Sequence, residues 1–158
     1  DLTVQAKDLG TSEPRILPDN PLYPIKKVMR TIQLVLTFDP LQRVQVLISQ
    51  DNEKTLEAAK LLEKSSSRKT IDLALVTLAE VEKDFAKLKE NSGKLDKLRQ
   101  AQPQKVDAIV DQIIRNGLAR QTVFSSIEDK VYGKDYVRVE KIRQNVLKDG
   151  VDSLLQLT

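Results

Sequence analysis

The chain has 158 residues, 26 Lys and Arg against 23 Asp and Glu for a net charge of +3, and neither Cys nor His. A chain of this length makes one domain or two small ones and buries roughly 68–70% of its unfolded surface, so it needs no metal or disulfide to fold. Without imidazole or thiol there is no Ser-His-Asp or Cys-His triad, no Cys/His zinc site, no CxxC redox pair and no histidine pH switch. The chemistry left is that of carboxylate, Lys, Ser/Thr or Tyr.

Charged residues make up 31% of the chain with both signs interspersed. A nucleic-acid binder would show a basic stripe, and an aromatic share of 4% with no Trp argues against base-stacking surfaces, so nucleic acid is not the expected partner. No stretch approaches the ~20 apolar residues of a transmembrane helix. The chain starts at Asp1 without a Met and carries no signal h-region, which reads as a piece of something longer. The absence of Cys suits an exported protein, and suits many cytosolic ones equally.

Residues 1–20 contain Gly10, Pro14 and Pro18 and no sustained period. They read as an extended arm or linker with at most one short turn of helix. Ile25, Val28, Met29, Ile32, Val35 and Leu36 then follow the i, i+3, i+4, i+7 spacing, with Lys26, Lys27, Arg30 and Gln33 on the other side. This predicts a first helix over Pro21 to Phe38, its apolar stripe turned to the core, with Pro21 at the first helical position.

Asp39 and Pro40 form the clearest helix start in the chain, with Gln42 placed as in a capping box. The second helix carries Leu41, Val44, Leu47, Ile48, Ala58, Ala59, Leu61 and Leu62 as far as Ser65-Ser66-Ser67. A third, from about Arg68 to Glu90, places Ile71, Leu75, Leu78, Phe85 and Leu88 on one stripe, and Asn91-Ser92-Gly93 is expected to stop it. Pro103 opens a fourth with Val106, Ile109, Val110, Ile113, Phe124, Ile127 and Val131, ending at Gly133. The fifth, from about Lys134, carries Tyr136, Val139, Ile142, Val146, Leu154 and Leu157. No strict alternation competes with these periods.

The expected fold is all-α: an elongated antiparallel bundle of four long helices plus one short one over residues 21–158, behind the N-terminal arm. Residues 91–102 are a candidate boundary, so one bundle and two helical hairpins in series both stay open. Gly117 and Gly150 fall within the last two helices, roughly opposite one another, and imply either close backbone approach or a kink.

Acidic residues on the second and third helices, Asp51, Glu53, Glu57, Glu80, Glu82 and Asp84, read as solvated faces with i,i+3 and i,i+4 partners. The Glu-x-x-His signature of a di-iron bundle is absent, and neither a cofactor, a metal nor a catalytic residue is expected. Asp51 and Thr55 are more informative, since they lie on the line joining Ile48 to Ala58 and Leu62, where apolar residues belong. They mark either a buried polar site, which must be paired or protonated, or a helix rotated enough to wet Asp51. Lys26, Lys27 and Arg30 cluster on the first helix as a candidate contact for an anionic polymer or lipid head group.

The segment Leu17-Pro18-Asp19-Asn20-Pro21-Leu22-Tyr23 followed by Lys26, closed by Phe38-Asp39-Pro40 and then the rhythm of Asn52-Glu53-Lys54 and Glu57-Ala58, resembles an uncharacterised prokaryotic domain family. That family carries an "LPDSPLY-x-x-K" entry, an "FDP" helix break and an "A-x-E-(K/R)-L-x-E" helix, and the likeness is close over roughly residues 8 to 64. The resemblance implies an exported or cell-surface setting and no reaction. Asp51 and Thr55 depart from the family's Ala and Leu. The motif residues have structural explanations here: Pro18 and Pro21 fix an extended entry, Leu22 and Tyr23 anchor the first turn, and Asp39 with Pro40 starts the second helix.

The function expected is that of a non-catalytic structural or interaction module whose partner is another protein or another segment of its own longer chain. The alternatives are a polyanion-binding module using Lys26, Lys27 and Arg30, and a ligand carrier or cryptic enzyme using a buried Asp51.

Overall fold

The computed structural model describes residues 2–158, and among these there is no strand. The five helices are α1 (Tyr23–Leu36), α2 (Pro40–Lys64), α3 (Arg68–Asp96), α4 (Pro103–Glu128) and α5 (Gly133–Leu157), preceded by a 3₁₀ turn at Ala6–Leu9. The fold is all-α, as the periodicity implied.

Helices α2 to α5 contact one another as a ring in the order α2, α3, α5, α4, and the diagonal pairs make at most marginal contact. Their apolar stripes meet inside it: Ile48 and Leu61 of α2, Leu78 and Phe85 of α3, Ile109 and Ile127 of α4, and Ile142 and Val146 of α5 belong to one core cluster. Each such side chain contributes about 1.5–3 kcal/mol by leaving water. Leu95 and Leu98 join the same cluster, so residues 91–102 run along the core instead of separating two hairpins.

Asn91-Ser92-Gly93 does not stop α3, which continues to Asp96. Leu88 and Leu95 are both buried one heptad apart, and the fully buried Ser92 satisfies its hydroxyl by donating to Leu88 O at 2.7 Å. Continued burial of the stripe outweighs the poor helix propensity of three residues. Asp39 behaves as expected, its Oδ1 accepting from Leu41 N at 2.9 Å and Gln42 N at 3.3 Å, with Pro40 in the first turn.

The entry to α1 differs from expectation. Residues 18–22 form turns instead of extended chain, and the helix begins at Tyr23 with Pro24, not Pro21, in its first turn. The Leu22 side chain is exposed, and the residue anchors the turn through its backbone: its N–H donates to Asn20 Oδ1 at 2.9 Å and its carbonyl accepts from Ile25 N at 3.1 Å.

The lead segment is part of the fold. Ala6 and Leu9 are buried against α4 and α2, Asn52 Nδ2 donates to Leu9 O at 2.9 Å, and Ser49 Oγ donates to Gly10 O at 3.1 Å. Gly10 closes the turn at φ 63°, and a Cβ there would lie 2.9 Å from Asn116 Nδ2, so any other residue would be strained and would displace the Asn116 side chain.

Gly117 and Gly150 line one open groove between α4 and α5. A Cβ on Gly117 would meet nothing within 4 Å, and one on Gly150 would make ordinary contact with Phe85 at 3.6 Å. Neither glycine is there to let two backbones touch.

Candidate functional site: an inverted helix on an ion cluster

Helix α1 is turned the opposite way from its sequence expectation. Val28, Met29 and Leu36 are 56%, 59% and 64% exposed, Ile25, Ile32 and Val35 are exposed as well, and Leu22 and Phe38 extend the apolar stripe at either end. The face that meets α2 holds Tyr23, Lys26 and Arg30 instead, with Leu34 half-buried beside them.

The cause lies on α2. Glu57 is wholly buried, and Glu53 partly so, on the surface that α1 covers. An unpaired carboxylate there would cost several kcal/mol, so α1 presents its cations to them and leaves its apolar side outside. Tyr23 Oη donates to Glu57 Oε2 at 2.7 Å, and Arg30 Nη2 reaches Glu57 Oε1 at 2.6 Å and Glu53 Oε2 at 2.9 Å. Lys26 Nζ lies 2.7 Å from Glu53 Oε1, also pairs with Glu57, and donates to Ile16 O at 3.2 Å. Two cations meet two carboxylates, and the cluster is neutral.

Gln50 Nε2 fixes the far end of the contact, donating to Arg30 O at 3.2 Å and Gln33 Oε1 at 2.9 Å. Burial and the neighbouring Glu57 push the Tyr23 phenol above its usual range. Burial works against the Arg30 guanidinium, yet its hydrogen bonds to Glu57 and Glu53 hold it charged more firmly than usual. Glu53 is likewise held below the usual carboxylate range, the pairs with Lys26 and Arg30 outweighing its burial.

A second polar cluster lies inside the ring. Asp51 and Thr55 are both buried, but the Thr55 hydroxyl donates to its own helix at Asp51 O, 2.8 Å away, and takes no part in a site. The partners of Asp51 come from elsewhere: Lys54 Nζ stands 3.5 Å from its Oδ1 and also 3.3 Å from Asp84 Oδ2 and 3.6 Å from Glu80 Oε2. Burial, reinforced by the like charge of Asp84, raises the Asp51 carboxyl well above its usual range, with Lys54 and Arg120 pulling the other way.

Arg120 is buried beside this group. Its Nε donates to Asn52 Oδ1 at 2.8 Å and its guanidinium lies 4.6 Å from the Phe85 ring centre, while burial pushes its pKa down to about 10. Its Nη2 and the Asp51 Oδ1 have no hydrogen-bond partner. This cluster ties the lead segment, α2, α3 and α4 together through Leu9, Asn52, Asp84 and Arg120.

The candidate residues therefore divide. Lys26 and Arg30 are consumed by the buried cluster, and Lys27 pairs with Glu80 at 3.0 Å on the surface, so the three do not form a free basic face. Tyr23 is an anchor, as expected. Glu57 and Asp51 are not the solvated carboxylates expected of a helix face. Asn52, Glu57 and Arg120 were missed as functional candidates. Asn116 and Arg120 interrupt the apolar line from Ile113 to Val123 just as Asp51 interrupts that of α2, and the same test applied to the fourth helix finds them.

Among the described residues no group of His, Cys, Asp or Glu is placed to hold a metal ion, and no helix is long and apolar enough to cross a membrane. Fold and site together define a helical-bundle domain that carries a surface helix on a buried ion cluster, apolar side outward. The chain belongs to the family described as a domain of unknown function (DUF5667), which matches residues 15–134 and so covers α1 to α4. No curated protein and no solved structure matches it.

Proposed function

We propose that the chain is a non-catalytic interaction module in an exported or cell-surface prokaryotic protein, and that the outward stripe of α1 is its docking surface. The single observation behind this reading is the orientation of α1: eight apolar side chains from Leu22 to Phe38 stay 42–88% exposed on a helix whose Lys26 and Arg30 are turned inward. For side chains of this size that is on the order of 900 Å², above the roughly 300–600 Å² of the largest patch on an ordinary monomer and near the ~800 Å² that each partner gives to a standard interface. The buried pairs hold α1 in place, so a partner meets a helix that is already ordered.

The setting at the cell surface rests on the family resemblance of the entry motif alone. The polyanion reading loses its support in the pairing of Lys26 and Arg30 with Glu53 and Glu57. For Asp51, the raised carboxyl and an Oδ1 without a hydrogen-bond partner fit a structural cluster closed by Lys54, Asp84 and Arg120.

A photo-crosslinking residue at Met29 or Val35 of the protein in its own cells tests the proposal. A discrete cross-linked species from these two positions, absent when the probe sits at exposed Gln104, is the expected result. Cross-linking no different from that at Gln104 would overturn it. Cell fractionation with the parent protein found only in the cytosol would remove the cell-surface part.

A further inference from the structure

The α4/α5 seam lies across the ring from the α2/α3 side, where α1 rests through Glu53 and Glu57 of α2 and Glu80 of α3, and it carries a second uncovered apolar surface. It is a groove of about 340 Å³ floored by Gly117 and Gly150, with Ile114, Leu118, Leu147 and Val151 exposed along its walls. Gly150 lies buried at its base, where a Cβ would meet Phe85 and Ile113, and Gly117 has no side chain to occupy the space above. On Gly117 a Cβ would point into open space, so nothing in the chain itself fills it. We propose that this groove receives α1 of a second copy of the same chain, so that copies associate head to tail. The inference rests on the reading of α1 as a docking helix.

The two surfaces match in form. Leu22, Ile25, Met29, Ile32 and Leu36 are spaced alternately three and four residues apart, the seam spacing by which one helix packs its side chains into the gaps of another. Ile25 to Ile32 rises about 10 Å, and the groove, from Ile113 to Gln121 on α4, is about 12 Å long at the same rise per residue. An amphipathic helix laid in an apolar groove is a recurring mode of recognition, with anchors at i, i+3, i+4 and i+7. The exposed area of α1 is already that of one side of a standard interface.

Pairing α1 with α1 across a two-fold axis would cover the ridge and leave the groove empty. Head-to-tail contact covers both with one kind of interface. Because ridge and groove lie on opposite faces of one molecule, such contacts generate an open chain or a ring of copies instead of a closed dimer.

Two sets of substitutions, at exposed positions and at Gly117, whose Cβ would meet nothing, separate these arrangements without touching the core. Met29→Glu with Val35→Glu spoils the ridge, while Gly117→Leu with Leu118→Glu fills and charges the groove; far-UV circular dichroism and urea midpoints check that both fold. In sedimentation velocity the unsubstituted chain is expected to grow past dimer as concentration rises, and each variant alone to associate about a hundredfold more weakly. An equimolar mixture of the two variants is expected to form a one-to-one dimer, since the intact groove of one meets the intact ridge of the other.

An unsubstituted chain that stays monomeric at millimolar concentration overturns the inference, as does self-association that the groove variant leaves intact. If the chain is monomeric and Met29 cross-links to a different protein in cells, the head-to-tail inference fails while the docking role of α1 stands. If Met29 also gives no discrete product, both fail.

Discussion

The α1/α2 seam and the interior of the α2–α5 ring show the same chain solving burial in opposite ways. In the ring, apolar stripes face inward and the few polar groups, Asp51, Asn52, Thr55 and Arg120, are guests among them. At the seam the buried contact is Tyr23, Lys26 and Arg30 on Glu53 and Glu57, and the apolar stripe is outside. The first arrangement is held chiefly by area removed from water. The second is held by matched charges, so it is specific in register and fails when one member is removed.

That contrast predicts different failures. Phe85 is 1% exposed in the core and also carries the Arg120 guanidinium, so Phe85→Ala should lower global stability by about 3–5 kcal/mol in urea unfolding, with every probe shifting together. Glu57→Ala strands Arg30 and Lys26 and should cost about 3 kcal/mol, but locally. Hydrogen exchange of the α1 amides should speed up greatly while α3 and α5 keep most of their protection. Equal loss of protection in α1 and α5 would mean that the seam and the ring are a single cooperative unit.

The Asp51 cluster gives a smaller, pH-dependent effect. The folded-state pKa of Asp51 is raised, so the folded chain binds its proton more tightly than the unfolded one does. The stability this confers is complete below the ordinary carboxylate pKa and is lost as pH rises through the folded value. The charged groups that face Asp51 are Lys54, Asp84, Glu80 and Arg120. Asp51→Asn should therefore gain on the unsubstituted chain between pH 4.5 and pH 8 in urea midpoint. A difference that stays constant over that range would mean that Asp51 titrates normally. Smallest of all, Gly117→Ala, whose Cβ meets nothing, should raise stability by about 0.5–1 kcal/mol through helix propensity.

Much of this was legible in the sequence. Periodicity placed four inward stripes, with Ile48, Leu78, Ile109 and Val146 on lines that meet no competing demand, but it also put Tyr136 on the inner line of α5, where the first turn leaves that ring exposed. Asp39-Pro40 located a helix start because capping is local chemistry. The orientation of α1 was not legible, since a strongly two-faced helix reports that its sides differ and not which one turns inward. The answer depended on Glu53 and Glu57 lying where α1 lands, a fact of tertiary structure. The continuation of α3 past Gly93 was hidden for a related reason: Leu95 had to be seen packing before three weak helix formers could be read as helix. Asp51 stood out by interrupting an apolar line. Arg120 does the same on α4, and its partner Asn52 became visible only when α2 and α4 met.

The chain contains no cysteine, so the orientation of α1 can be measured with single introduced thiols. Val28→Cys and Met29→Cys on the outward stripe, and Leu78→Cys and Val139→Cys in the ring, are labelled by a disulfide reagent at a concentration where sedimentation shows monomer. The account predicts that both α1 thiols react nearly as fast in the folded chain as in urea, while both ring thiols react only at the rate of unfolding. Protection of Val28→Cys and Met29→Cys comparable to that of Leu78→Cys in the folded monomer would show that α1 packs its apolar side inward, and would contradict it.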